Sequence, residues 1–182
     1  PKSSQSVSSE STDGWKVYAK NNLKIEFDSP NNAEVEVTGP FRGDAIGKSI
    51  RVFFLLGNTD REEAFSTHLT EGLVIDITQI DNKGQSLYDL ANKETSVPGY
   101  GQSPRKEFGQ VVVDRKEGYK AVFGPNEFTW LSGTKKTLVT SIIMYFEVNG
   151  KFYYFSSSYA GTHVSEYQKI YNQLLTSFKF LN

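Results

Sequence analysis

Asp76 is the residue whose type and setting most invite chemistry, because it is a carboxylate inside the apolar run Leu73-Val74-Ile75-Asp76-Ile77. Buried alone, such a carboxyl has a raised pKa and can serve as an acid or base. Facing an edge, or a Lys or Arg across the sheet, it is structural, and that reading is favoured. The two histidines are His68 and His163. His163 and Glu166 stand at i and i+3 at an expected helix start and could share a metal, but a helix N-terminus repels a cation and no third ligand is in view. Exposed surface side chains are the favoured reading of both. Asn58-Thr59-Asp60-Arg61-Glu62-Glu63 is rich in oxygen yet lacks the alternation and the Gly of a calcium loop, and reads as a solvated helix start. Gly43-Asp44-Ala45-Ile46-Gly47-Lys48-Ser49 falls one residue short of a phosphate-binding loop, and the strand-like 50–56 follows it instead of a helix. There is no cysteine and no Gly-x-Ser-x-Gly elbow. No catalytic residue, metal or cofactor is therefore assigned.

Aromatic residues offer a different chemistry. They make up 14% of the 182 residues, with ten Tyr and thirteen Phe. Tyr100, Phe128, Trp130, Tyr153 and Tyr159 are the candidates to line a groove or a partner surface, since Tyr and Trp suit sites with one apolar and one wet side. Core packing is the competing reading for each. A net charge of −1 with no run of Lys and Arg gives no field to hold nucleic acid.

The elements that would position these residues are clearest at the C-terminal end. Strands are predicted over 136–147 and 151–159, joined through Val148, Asn149 and Gly150, and Asn-Gly supplies the positive φ angles of a tight type I′ turn. The first strand carries Leu138, Ile142, Met144 and Phe146 on one face and Val139, Ile143 and Tyr145 on the other, so both faces should be covered. Val164, Tyr167, Ile170, Tyr171, Leu174, Leu175 and Phe178 then follow at helical spacing, with Thr162 or Ser165 as the cap. Earlier come a hairpin over 15–27, strands at 35–37, 50–56 and 73–80, and a short helix or loop within 58–70. A capping box at Ser86 to Asp89 opens a second helix. A second hairpin, 111–113 with 119–123, turns at Lys116-Glu117-Gly118, and 128–131 is a further short strand or loop. Residues 1–14 are rich in Ser and form a disordered tether, and 15–182 form one domain. This order indicates an α+β fold with a mainly antiparallel sheet.

Several short stretches resemble one known family. Leu23-Lys24-Ile25-Glu26-Phe27-Asp28-Ser29-Pro30, Gly150-Lys151-Phe152-Tyr153-Tyr154 and the ending Thr176-Ser177-Phe178-Lys179-Phe180 are similar to the PsbP-like group, which includes the extrinsic photosystem II subunit and bacterial lipoproteins. The resemblance implies an α/β/α sandwich with helices on both faces of the central sheet. It also implies a lipid anchor upstream of Pro1. The expected function is a noncatalytic, extracytoplasmic, membrane-tethered domain that works through a protein partner. The alternative is a small-ligand carrier, with Trp130 and Tyr100 over a pocket between the sheet and the 98–104 loop.

Overall fold

The computed structural model describes residues 14–40, 42–65, 69–81, 84–96, 104–129 and 136–181. In chain order these form β1 (Trp15–Lys20), β2 (Ile25–Pro30), β3 (Glu34–Thr38), β4 (Ser49–Phe54), α1 (Arg61–Phe65), β5 (Gly72–Ile80), α2 (Leu87–Ser96), β6 (Glu107–Val113), β7 (Lys116–Thr129), β8 (Lys136–Val148), β9 (Lys151–Ala160), α3 (Val164–Ser177) and β10 (Lys179–Phe180). An antiparallel seven-stranded sheet runs in the order β3-β4-β5-β9-β8-β7-β6, beside a three-stranded sheet β1-β2-β10.

Side-chain alternation sorts this sheet into two faces. On one face Ile142, Met144 and Phe146 of β8 and Tyr153 and Phe155 of β9 meet Tyr167, Tyr171 and Leu174 of α3 and Ile25 and Phe27 of β2. Ring contacts bind this layer together: Phe27 stacks on Phe178 at 5.9 Å, and Phe155 meets Phe178 edge-on at 5.1 Å. On the other face Leu90 and Ala91 of α2 cover Ile143, Tyr145 and Phe152, while Ala64 of α1 covers Phe53, Val74 and Val139. The result is an α+β sandwich with helices on both faces of an antiparallel sheet.

The C-terminal hairpin forms as read. Val148 pairs with Lys151 across Asn149 (φ 54) and Gly150 (φ 73). β8 is interior, between β9 and β7. Leu138 departs from the expectation: it is 53% exposed.

Three other expectations need correction. The second hairpin turns at Asp114 (φ 47) and Arg115 (φ 60), with Val113 opposite Lys116, so Lys116, Glu117 and Gly118 already belong to β7. Gly118 serves packing instead: a Cβ there would overlap the Tyr145 carbonyl oxygen and the Phe146 ring. The helix α3 is capped by neither Thr162 nor Ser165; His163 occupies the N-cap position without a side-chain capping bond. The stretch beginning at Phe128 is not a separate strand, since β7 runs through to Thr129 after a bulge between Phe123 and Asn126.

Candidate functional site

Asp76 has a cross-strand partner. Arg51 stands opposite it in the β4–β5 register, and the guanidinium donates from Nε to Oδ1 at 2.8 Å and from Nη2 to Oδ2 at 3.0 Å. Burial lifts the Asp76 carboxyl above its ordinary value, and the Arg51 hydrogen bonds only partly offset this. Both oxygens are thus committed to a structural fork. This pair heads a polar strip on the α1/α2 face that runs through Ser156 to Ser158, whose hydroxyl lies 2.9 Å from that of Ser141. A second network closes the strip toward α2. Arg42 donates to Asp44 and, at 2.6 Å, to Glu94, and it lies 4.4 Å over the Tyr154 ring; Tyr145 donates to the same Glu94 oxygen at 2.8 Å. Burial, together with Tyr154 and Glu94, pushes the Tyr145 hydroxyl far above its usual range, so it stays a donor.

Sequence reasoning passed over Glu71, the most heavily bonded carboxylate on the described residues. It accepts from the Thr162 N–H at 2.8 Å, the Thr162 hydroxyl at 3.0 Å and the Tyr167 hydroxyl at 2.7 Å, and His163 Nδ1 lies 3.2 Å away. Burial opposes its charge, but these donors outweigh burial and hold the carboxyl below its ordinary value of 4.5. Gly161 (φ 102) is required here, because a Cβ would run into the Glu71 carboxylate. The contact spans ninety-one residues of sequence, from 71 to 162, so no local pattern announces it. His163 is consequently engaged with Glu71 and not a lone surface side chain. His68 lies outside the described residues, and among those described no three His, Asp or Glu gather as a metal site. The 43–49 loop bridges from Ala45 to Ile80 and leads into β4, a strand, as its spacing suggested. Asp60 opens α1, accepting from the Glu62 N–H at 2.7 Å.

The aromatic candidates divide. Tyr153 is 2% exposed and Tyr159 6%, so both are core residues and neither lines an open groove. Their strand carries apolar residues on both faces, so alternation could not tell which rings faced outward. The Tyr153 hydroxyl donates to the Leu23 carbonyl at 2.9 Å and accepts from Gln79, tying the first hairpin to the sheet. Phe128 falls near the end of β7, opposite Thr137. Tyr100 and Trp130 lie outside the described residues, as does the pocket expected beneath them.

A different set of rings comes together at the surface. The Ser86 hydroxyl accepts from the Asp89 N–H at 3.1 Å, capping the start of α2, and donates to the Asp89 carboxylate at 2.7 Å, a bond between side chains where a capping box would have Asp89 accept from the Ser86 N–H. With Leu90, Ala91 and Thr95 turned inward, Tyr88 is left 48% exposed on the flank facing β6 and β7. There it meets Tyr119 at 5.3 Å and Phe108 at 6.0 Å, both edge-on, while Phe108 and Tyr119 stack at 5.7 Å. Beside the cluster opens a pocket of about 560 Å³, whose lining includes Tyr88, Gln110, Glu117, Tyr119, Glu147 and Asn149. Aromatic faces with carboxylate and amide groups at their rim suit a partner that offers both apolar and hydrogen-bonding surface.

In sequence, no protein-family profile and no curated protein matches the chain. In structure, it is similar to the solution structure of cyanobacterial PsbP (CyanoP) from Synechocystis sp. PCC 6803, at 13% identity, with 97% of this chain and 98% of that one covered and a TM-score of 0.54. LpqN of Mycobacterium tuberculosis, described as involved in cell envelope biogenesis, aligns at 10% identity over 98% of this chain and 91% of its own, with a TM-score of 0.47. The order of elements, the antiparallel sheet and the helices on its two faces together give this chain the PsbP-like fold.

Proposed function

We propose that the chain is a noncatalytic protein-binding or assembly-accessory domain that docks a partner through Tyr88, Phe108 and Tyr119. The exposed aromatic cluster at the start of α2 carries this reading, because rings that meet one another at the surface form an anchor of the kind that dominates interface energetics. The PsbP-like fold and the Ser-rich segment at residues 1–14 support an extracytoplasmic, membrane-tethered place for it. A pull-down from the native envelope fraction, read by mass spectrometry with wild-type and Tyr88→Ala bait side by side, tests the assignment. A stoichiometric partner that the variant loses supports it; a partner retained equally by both baits, or none at all, counts against it.

The pocket beside the cluster favours a second reading, a small-ligand carrier. Saturable calorimetric binding of a sugar or short peptide, abolished by Tyr119→Ala, would select that reading over the first.

A further inference from the structure

The two edges of the large sheet are built differently. β3 has five residues, carries Glu34 and Glu36, and is spanned by Arg61 of α1, which pairs with Glu34 at 2.5 Å and Glu36 at 3.0 Å. Charge and cover of this kind are the usual protection of a sheet edge. β6 has seven residues, and from Phe108 to Val113 it carries no charge, no proline and no bulge. Among the described residues nothing pairs with its outer side, and Val112 is 63% exposed.

The backbone of β6 is set to receive another strand. Val113 and Lys116 flank a two-residue turn and form its first hydrogen-bonded pair, so alternation points the N–H and C=O groups of Phe108, Gln110 and Val112 away from β7. Gly109 has no internal reason to be glycine: a Cβ there meets nothing within 4 Å and its φ is not positive. Glycine inside a strand often marks the close approach of another backbone.

We propose that β6 pairs with β6 of a second copy, antiparallel about a two-fold axis at Gln110. This register uses every outward-facing group, pairing Gln110 with Gln110 and Phe108 with Val112 in both directions. Phe108 then covers the exposed Val112 of the other copy, a favourable aromatic and β-branched cross-strand pair, and Gly109 lies opposite Val111. The pairing ends there, since the Lys106 N–H turns inward to the Val122 carbonyl at 2.8 Å and the carboxylate of the turn residue Asp114 accepts from the Phe180 N–H at 2.8 Å. Arg105, which one step further out would face Arg115, is turned away toward α2: it donates to Asn92 at 3.0 Å and Thr95 at 2.9 Å and lies 4.2 Å over the Phe108 ring. The same symmetric pairing of β3 would set Glu36 against Glu36. The pairing shares Phe108 with the proposed docking cluster and Gln110 with the pocket beside it, but its test reads self-association alone.

The chain lacks cysteine, which allows a direct test of register. Residues facing each other in a hydrogen-bonded antiparallel pair have Cα atoms about 5.5 Å apart, within the span a disulfide closes. Oxidation of Gln110→Cys is expected to give a linked dimer. Val112→Cys should not, because the two copies of residue 112 would lie about 14 Å apart along the strands. Sedimentation of the untagged chain from micromolar to millimolar concentration should show monomer and dimer in exchange. Gln110→Pro removes only an outward N–H and should lower the association constant about tenfold or more while leaving the thermal melt cooperative. A chain that stays monomeric throughout, equal crosslinking at 110 and 112, or a dimer indifferent to Gln110→Pro would each overturn the proposal.

Discussion

The two faces of the seven-stranded sheet carry neighbouring residues of the same strands and do opposite work. Under α3 and the small sheet, Phe146, Phe155, Phe178 and Phe180 form a dry layer of interlocking rings. Under α1 and α2, the same strands present Arg51, Asp76, Ser141, Ser156, Ser158 and Tyr154, which answer one another through hydrogen bonds. The first face is held by apolar area removed from water, a non-directional force that tolerates little loss of volume. The second adds specific polar partners to the apolar contacts of α1 and α2, and leaves its aromatic surplus at the rim, where Tyr88 stands. The ring-packed core thus lies under one face, and the proposed docking site at the rim of the other.

The sharpest way to break this comparison uses two adjacent residues of β9. Phe155 is fully buried under α3, and Ser156 points the other way. Phe155→Ala is expected to cost about 3–5 kcal/mol in urea unfolding, whereas Ser156→Ala should cost under about 1 kcal/mol. Equal losses would mean that the two faces share the load.

Glu71 comes next. Glu71→Gln keeps the shape but sets an uncharged amide against donors placed for a carboxylate, and about 2–3 kcal/mol should be lost at neutral pH. The carboxyl is held below its ordinary value in the folded chain, so its contribution is present above the unfolded pKa near 4.5 and disappears as pH falls through the folded value. Wild type and variant should therefore converge in stability on acidification. Parallel curves down to pH 3 would show that the carboxylate's charge is not what anchors α3.

Arg51 probes the polar face from within. Arg51→Met strands the Asp76 carboxylate, which burial already disfavours, and about 2 kcal/mol should be lost. Adding Asp76→Leu should restore most of it, since a well-packed apolar pair often replaces a partly buried ion pair without cost. A double variant no better than the single one would show that the fork also positions β4 against β5.

How far the sequence disclosed all this depends on the distance over which each signal acts. The β8–β9 hairpin was legible because Asn149 and Gly150 fix its turn locally, and α3 because its apolar spacing repeats within a few residues. The Ser86 cap of α2 was legible for the same reason. The Asp76 partner was weighed correctly as a class, though Arg51 could not be named without the β4–β5 register. Glu71 was invisible because its partners lie a whole sheet away in sequence. Gly118 misled, since a glycine demanded by the Phe146 ring looks the same on paper as one demanded by a turn.

The smallest effect on stability should come from Tyr88, on which the proposed docking most depends. Tyr88 rests on Tyr119 and Phe108 by ring edges alone and is about half exposed, so Tyr88→Ala removes little buried area from the folded chain. The expected loss in urea is under about 1 kcal/mol, while affinity for the docked partner should fall about tenfold or more if Tyr88 anchors the interface. Tyr88→Phe separates two versions of that idea: it keeps the ring and removes the hydroxyl, so retained affinity assigns the contact to the aromatic face and lost affinity to a hydrogen bond at the rim. A Tyr88→Ala variant that lost stability and affinity in equal measure would place this tyrosine with the structural aromatics of the opposite face, and the division of labour between the faces would fail there.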